Sequence, residues 1–229
     1  MSKLIGIAGP SGHGKSTSLR NLDHTKTLMI NVANKDLPFE GSRKLYNKEN
    51  KNYLEATTAE DIVAIMKNVS SKMPHIKYVV IDDFQYIVGL EFVEKALEKG
   101  FDKFSSMAQH IVEIVSPKLH QRLRDDLYVI ILTHDEVIEK EYQKARKMKT
   151  AGKLVDQHIT LEGFFTIVFF TDLRKEEGED EISYLFRTRT DGICNSKSPM
   201  GMFKKSLIPN DLAPILVRVE EYFSTTEKS

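Results

Sequence analysis

The sequence predicts an α/β fold, a mainly parallel β-sheet flanked by helices with an antiparallel strand addition toward the C-terminus. Three observations lead there. The runs "LIGIA", "TLMINV", "KYVVIDDF" and "LYVIILTH" are apolar almost throughout, as strands buried on both faces are. The segments between them include runs of helical length and period, the alternation that builds a parallel sheet. Two later apolar runs are separated only by the acidic "RKEEGEDE", a connection too short for a crossover, so those strands pair antiparallel.

Taken in order, Leu4 to Ala8 form the first strand and Lys15 to Leu22 the helix behind a glycine-rich turn. A second strand covers Thr27 to Val32, followed by a polar stretch, residues 33–56, without periodicity. A loop of that length in a compact domain is usually functional or mobile. "TTAEDIVAIMKNV" opens with a capping box, Thr57 to Glu60, and puts Ile62, Ile65, Met66 and Val69 on one helical face. The strand Lys77–Phe84 ends in two carboxylates and leads into a helical region closed near Gly100. A second helix runs through Phe104, Met107, Ile111, Ile114 and Val115, and Ser116-Pro117 reads as an N-cap with proline at the first helical position. After the strand Leu127–His134 come a cation-rich loop over 134–157, the strands "GFFTIVFFT" and "EISYLFRTRT", and a terminal helix over 209–223. Without repeats or a low-complexity linker, residues 1–229 read as one domain.

Composition narrows the function. Lysine plus arginine equals aspartate plus glutamate at 33 each, so attraction to nucleic acid must come from local patches rather than net charge. The single cysteine, Cys194, excludes an internal disulfide and a multi-cysteine zinc site. The N-terminus lacks a signal-peptide pattern, and no run approaches the roughly 20 apolar residues that span a bilayer. The expectation is a soluble, cytoplasmic protein that does not act at a membrane.

The segment Gly9, Pro10, Ser11, Gly12, His13, Gly14, Lys15, Ser16, Thr17 fits the phosphate-binding pattern G-x-x-x-x-G-K-[ST], set between a strand and a helix as that chemistry requires. The glycines at 9, 12 and 14 are expected to let backbone N–H groups converge on phosphate oxygens, with the helix adding its positive end. Lys15 reaches the β- and γ-phosphates of ATP, Ser16 ligates Mg²⁺, and Thr17 lies near the α-phosphate. His13 takes a variable position of the pattern and is given no role of its own beyond it. Asp82, at the end of an apolar strand, supplies the carboxylate for the metal's water shell. Asp83 either polarises the attacking water or caps the next helix. Two readings follow, an ATPase and a small-molecule kinase with an acceptor pocket at Pro38, Phe39 and Tyr46. A nucleotide-switched loader without direct DNA contact is a third.

The order of P-loop, acidic strand, "VIILTH", cationic loop, apolar strand and "FRTRTDG" resembles the RecA-like core shared by recombinases and DnaB-type helicases. "NKDLPFEG", "LTHDE", "KTAGKLVDQHITLEGFFTIVFF" and "RTRTDGICNSKSPMGMF" look more closely like the small single-domain ATPases of tailed phages, some grouped as single-strand annealing or recombinase-type proteins. That resemblance implies γ-phosphate sensing by Thr133 and His134. It implies single-stranded DNA held by Lys144, Arg146, Lys147, Lys149 and Lys153. It also implies an arginine finger, Arg189 with Arg187 beside it, reaching a neighbouring subunit's nucleotide in a homo-oligomeric ring or filament. Lys204 and Lys205 rival it. The glutamate that such recombinases carry after the second strand is missing: "NVANKD" offers Ala33 and Asn34 there, leaving Asp36, Glu40 or Asp83 as base and implying slow hydrolysis raised by DNA.

Overall fold

The computed structural model describes residues 1–97, 100, 102–140, 143–149, 160–175, 178 and 180–226. Its centre is an eight-stranded sheet built from β1 (Lys3–Ala8), β2 (Thr27–Asn31), β3 (Tyr53–Glu55), β4 (Tyr78–Asp82), β5 (Tyr128–Thr133), β8 (Ile167–Arg174), β9 (Ser183–Arg187) and β10 (Leu207–Pro209). The strand order is β10-β9-β8-β1-β5-β4-β2-β3. From β8 to β3 every pairing is parallel, while β9 and β10 are antiparallel additions. This is the mainly parallel α/β architecture with the core order expected from the sequence.

Helices cover both faces. The α2 (Ala59–Lys72), α3 (Gln85–Glu94), α4 (Asp102–Val115) and α5 (Pro117–His120) helices lie on one side with Ile62, Met66, Ile111 and Ile114 in the core. On the other, the C-terminal helix α6 (Leu212–Thr226) packs Leu212, Leu216 and Val219 against Ile5, Ile7 and Phe169. The short α1 (Ser42–Leu45) belongs to the polar stretch after β2.

Several boundaries differ from expectation for local reasons. The α2 cap is Thr58, not Thr57: its hydroxyl oxygen accepts from Asp61 N at 3.2 Å. Ser116 caps α5 as read, with Pro117 at the first position. The helix expected over 15–22 is a single 3₁₀ turn, Ser16–Leu19. The chain is then drawn into a turn by Asp23, whose carboxylate accepts from Thr25 N and Thr25 Oγ1 at 3.0 and 2.6 Å. The terminal helix starts at Leu212 rather than 209, because Leu207–Pro209 pairs with β9 as an edge strand.

The expected loop over 134–157 begins as a hairpin of β6 (Asp135–Lys140) and β7 (Gln143–Met148), a two-stranded sheet separate from the main one. It is anchored at its base. Lys149 N donates to His134 O at 2.8 Å, and β7 joins the 193–195 segment through Arg146 N to Ile193 O at 2.7 Å.

Candidate nucleotide site

The placement of β5 between β1 and β4 makes the site. In register, Ala8 lies opposite Thr133 and Ile81 opposite Ile131, so the carboxyl ends of three strands meet, where ligands bind in open α/β sheets. The P-loop leaves from β1, the carboxylates from β4 and His134 from β5. They surround a cavity of about 700 Å³ whose lining includes Gly12, Gly14, Lys15, Ser16, Asp83 and His134. Ser11 and Thr17 also line it, whereas Gly9, Pro10 and His13 are not among its lining residues.

The glycines differ in what they do. Gly12 and Gly14 have φ of 78° and 81°, the left-handed region that glycine enters without steric cost. Gly9 does not have positive φ, contrary to expectation; its lack of a side chain serves close packing. A Cβ there would sit 1.8 Å from Thr171 Oγ1. With one 3₁₀ turn behind the loop, helix-dipole support is small, and phosphate binding falls to the loop N–H groups and Lys15.

Lys15 is 6% exposed, and its ammonium donates to Gly9 O and Pro10 O at 2.8 and 2.9 Å. Burial lowers its pKa, opposed by the charges of Asp83 and Asp82. Ser16 Oγ donates to Asp82 Oδ1 at 3.0 Å, and Asp82 Oδ2 is buried without a hydrogen-bond partner. Burial and the neighbouring Asp83 push Asp82 up to about 6. A cation would relieve both features, so Ser16 and Asp82 fit the Mg²⁺ role. Among the described residues no group of three or more His, Cys, Asp or Glu side chains could hold a metal by itself. The cation would therefore depend on nucleotide phosphate for its remaining ligands.

Of the two readings of Asp83, the helix cap is not formed. The α3 N-cap is Phe84 with no side-chain cap bond, so Asp83 does not cap the helix. Its side chain is 2% exposed and forms an ion pair with Lys35, while Gln85 Nε2 donates to its Oδ1 at 3.3 Å. Gln85 Oε1 in turn accepts from His134 N at 3.1 Å. Lys35 and Gln85 were not legible in the sequence, since Lys35 lies 48 positions from Asp83 and Gln85 lies 49 from His134. His134 stands with Tyr86 edge-on at 6.2 Å, and burial followed by Lys15 lowers its pKa, keeping the ring neutral. Thr133 Oγ1 is buried without a partner beside it. Asp36 is exposed and paired with Arg43, and Glu40 is exposed away from the lining residues.

Of the expected acceptor residues, Pro38 lines the main cavity. Tyr46 lines a smaller one of about 270 Å³ that meets it at Asp36, and Phe39 packs edge-on to Tyr46. On the far wall Tyr184, Pro209 and Asn210 face the loop, with Arg20 Nη1 donating to Asn210 O at 2.8 Å.

The cationic residues divide. Arg146 pairs with Asp135 Oδ2 at 2.6 Å and stacks over Phe170 at 5.5 Å, and Lys147 pairs with Glu136 at 2.9 Å. Their charges are paired within the hairpin, each with a carboxylate of β6. Lys144 and Lys149 are exposed, and Lys153 lies outside the described residues. Arg187 is held by Asp172 and by Asp191 Oδ2 at 3.4 Å with its side chain 13% exposed. Arg189 is exposed, donates to Lys204 O at 2.7 Å, and lies beside Lys204 and Lys205, outside the lining of the nucleotide cavity.

No protein-family model matches the chain, and no curated protein matches it. Among solved structures it is similar to a KaiC-like protein from the hyperthermophilic archaeon Pyrococcus horikoshii OT3, with 14% identity, a TM-score of 0.48, and coverage of 82% of this chain and 78% of that one. No helix among the described residues is long and apolar enough to cross a membrane.

Proposed function

We propose that this chain is a Mg²⁺-dependent ATPase that acts on single-stranded DNA as a homo-oligomer, in recombination, annealing or replication of the phage type. The observation that carries the nucleotide reading is the Ser16–Asp82 pair, with its unpartnered buried Oδ2, beside Lys15 and two positive-φ glycines. Mg²⁺, when bound with ATP, supplies charge neutralisation on the phosphates. Lys15 and the loop N–H groups orient the triphosphate. Asp83 is the carboxylate best placed to accept a proton from water, and His134 is a neutral donor for a phosphate oxygen. The water oxygen bonds to the γ-phosphorus, its proton passes to Asp83, and the β–γ bridging oxygen leaves on ADP with the bonding electrons.

Exposed Lys144 and Lys149 on a hairpin rooted beside His134 support the DNA reading. The outward position of Arg189 supports a finger acting on a neighbour. The smaller cavity at Tyr46 favours a second reading, a kinase with a small acceptor. ATP hydrolysis with and without single-stranded DNA, in wild type and Lys15→Ala, tests both. DNA-stimulated turnover abolished by Lys15→Ala supports the ATPase. Lys15-dependent turnover indifferent to DNA overturns the DNA part and moves the reading to a kinase or switch.

A further inference from the structure

Three features around Asp83 need a joint explanation. The residue has φ of 62°, a left-handed backbone unfavourable for a non-glycine residue, yet its side chain caps nothing. Its buried carboxylate is paired with the ammonium of Lys35, whose side chain is 53% exposed and lines the same cavity as Lys15 and His134. The Lys35 backbone is fixed by the β2 end: Asn34 turns the chain at φ of 50°, and Asn31 Nδ2 donates to Lys35 O. Only the flexible arm of Lys35 is left to move, and it stands on the strand-end carboxylate at the wall of the cavity.

We propose that Lys35 is a phosphate-sensing latch on Asp83; the inference rests on the ATP reading above. Without a terminal phosphate the ammonium masks the carboxylate from the cavity. The terminal phosphate of ATP carries more charge than one carboxylate, and an ammonium offers three donors on a rotatable stem. It therefore draws Lys35 across the cavity. Asp83 is then released, still held by Gln85, which also bonds the His134 backbone and keeps the carboxylate aligned with β5. Lys35 keeps its protons throughout; it shifts between two anions. ADP lacks the group that competes for Lys35, so the latch distinguishes the two nucleotides.

Isothermal titration of wild type, Lys35→Met, Asp83→Asn and the double variant with Mg-ADP and with a Mg-bound non-hydrolysable ATP analogue tests this. Lys35→Met is expected to weaken the analogue about tenfold, one charge-assisted hydrogen bond, while ADP stays within about twofold. Asp83→Asn frees Lys35 and is expected to tighten the analogue about threefold or more, a gain that the double variant loses. Equal weakening of both nucleotides by Lys35→Met overturns the latch, as does an Asp83→Asn variant that fails to tighten the analogue. Lys35 is half-exposed, so its variant keeps the fold and decides the matter even if Asp83→Asn does not fold. A wild type that binds neither nucleotide overturns the ATP reading itself, a result distinct from normal binding with an unmoved ratio.

Discussion

Gly9→Ala isolates the packing behind the P-loop from its backbone angles. A Cβ at Gly9 would meet Thr171 Oγ1 at 1.8 Å, Thr171 Cβ at 2.9 Å and Thr171 Cγ2 at 3.0 Å. Turning Thr171 about its Cα–Cβ bond moves Oγ1 and Cγ2 together and leaves the Cβ contact, and Thr171 is held in β8 at 1% exposure. The cost falls at the upper end of overpacking, about 3 kcal/mol, or a fall in Tm of about 6–12 °C for a domain of this size. Thr171→Ala alone removes a methyl but also a buried hydroxyl without a partner, so it costs about 1 kcal/mol or less. In the double variant only the Cβ contact at 2.9 Å remains. Its cost is then about 2 kcal/mol instead of the additive 4, a coupling of about 2 kcal/mol. Urea unfolding followed by circular dichroism measures the cycle, and additivity within about 0.5 kcal/mol would refute the steric argument. Gly12→Ala is the control: nothing lies within 4 Å of its Cβ, so its cost of about 1 kcal/mol is backbone strain that Thr171→Ala cannot rescue.

Three other outcomes follow from the same geometry. His120 is buried, with Nδ1 2.7 Å from Ser2 Oγ and Nε2 3.0 Å from Ile114 O, and burial holds its pKa below the usual 6.5. The unfolded chain thus binds the proton first, so stability is full above pH 6.5 and is lost on acidification, by at most about 1.4 kcal/mol per pH unit; His120→Gln should flatten that slope in pH-dependent unfolding. If Lys144 and Lys149 each neutralise one phosphate of single-stranded DNA, replacing both by alanine reduces the log–log salt slope of binding by about 1.4, and an unchanged slope removes them from the interface. Arg189→Ala lowers turnover about 10³-fold if it is the finger, whereas Arg187→Ala should act on stability by leaving Asp172 only its pair with the more exposed Arg174; normal turnover in Arg189→Ala rejects the trans role.

What could be read from the sequence was what short-range chemistry dictates. The spacing from Gly9 to Ser16 and the apolar run ending in Asp82 carry their own constraints, and both stand where expected. The hairpin escaped notice because β6 and β7 stand apart from the main sheet and carry charges on both faces, leaving no alternation of apolar and polar residues. The three-residue strands β3 and β10 are too short to show a period. The ion pairs of Arg187 were not legible as a set because its carboxylates arrive from β8 and from the loop after β9. The Lys35–Asp83 pair joins residues 48 apart, which no local pattern announces.

The hairpin begins at Asp135, directly after His134, with no linker between them. Mechanically it is a lever whose fulcrum sits at the candidate nucleotide site. A six-residue strand extends roughly 20 Å, so a tilt of about 10° at the root sweeps its far end through about 3.5 Å. Because β7 is bonded to residues 193–195, the same tilt drags the loop that follows Arg189. A small change at one strand end is thereby geared into a larger excursion at the hairpin's far end and transmitted to the loop beside Arg189.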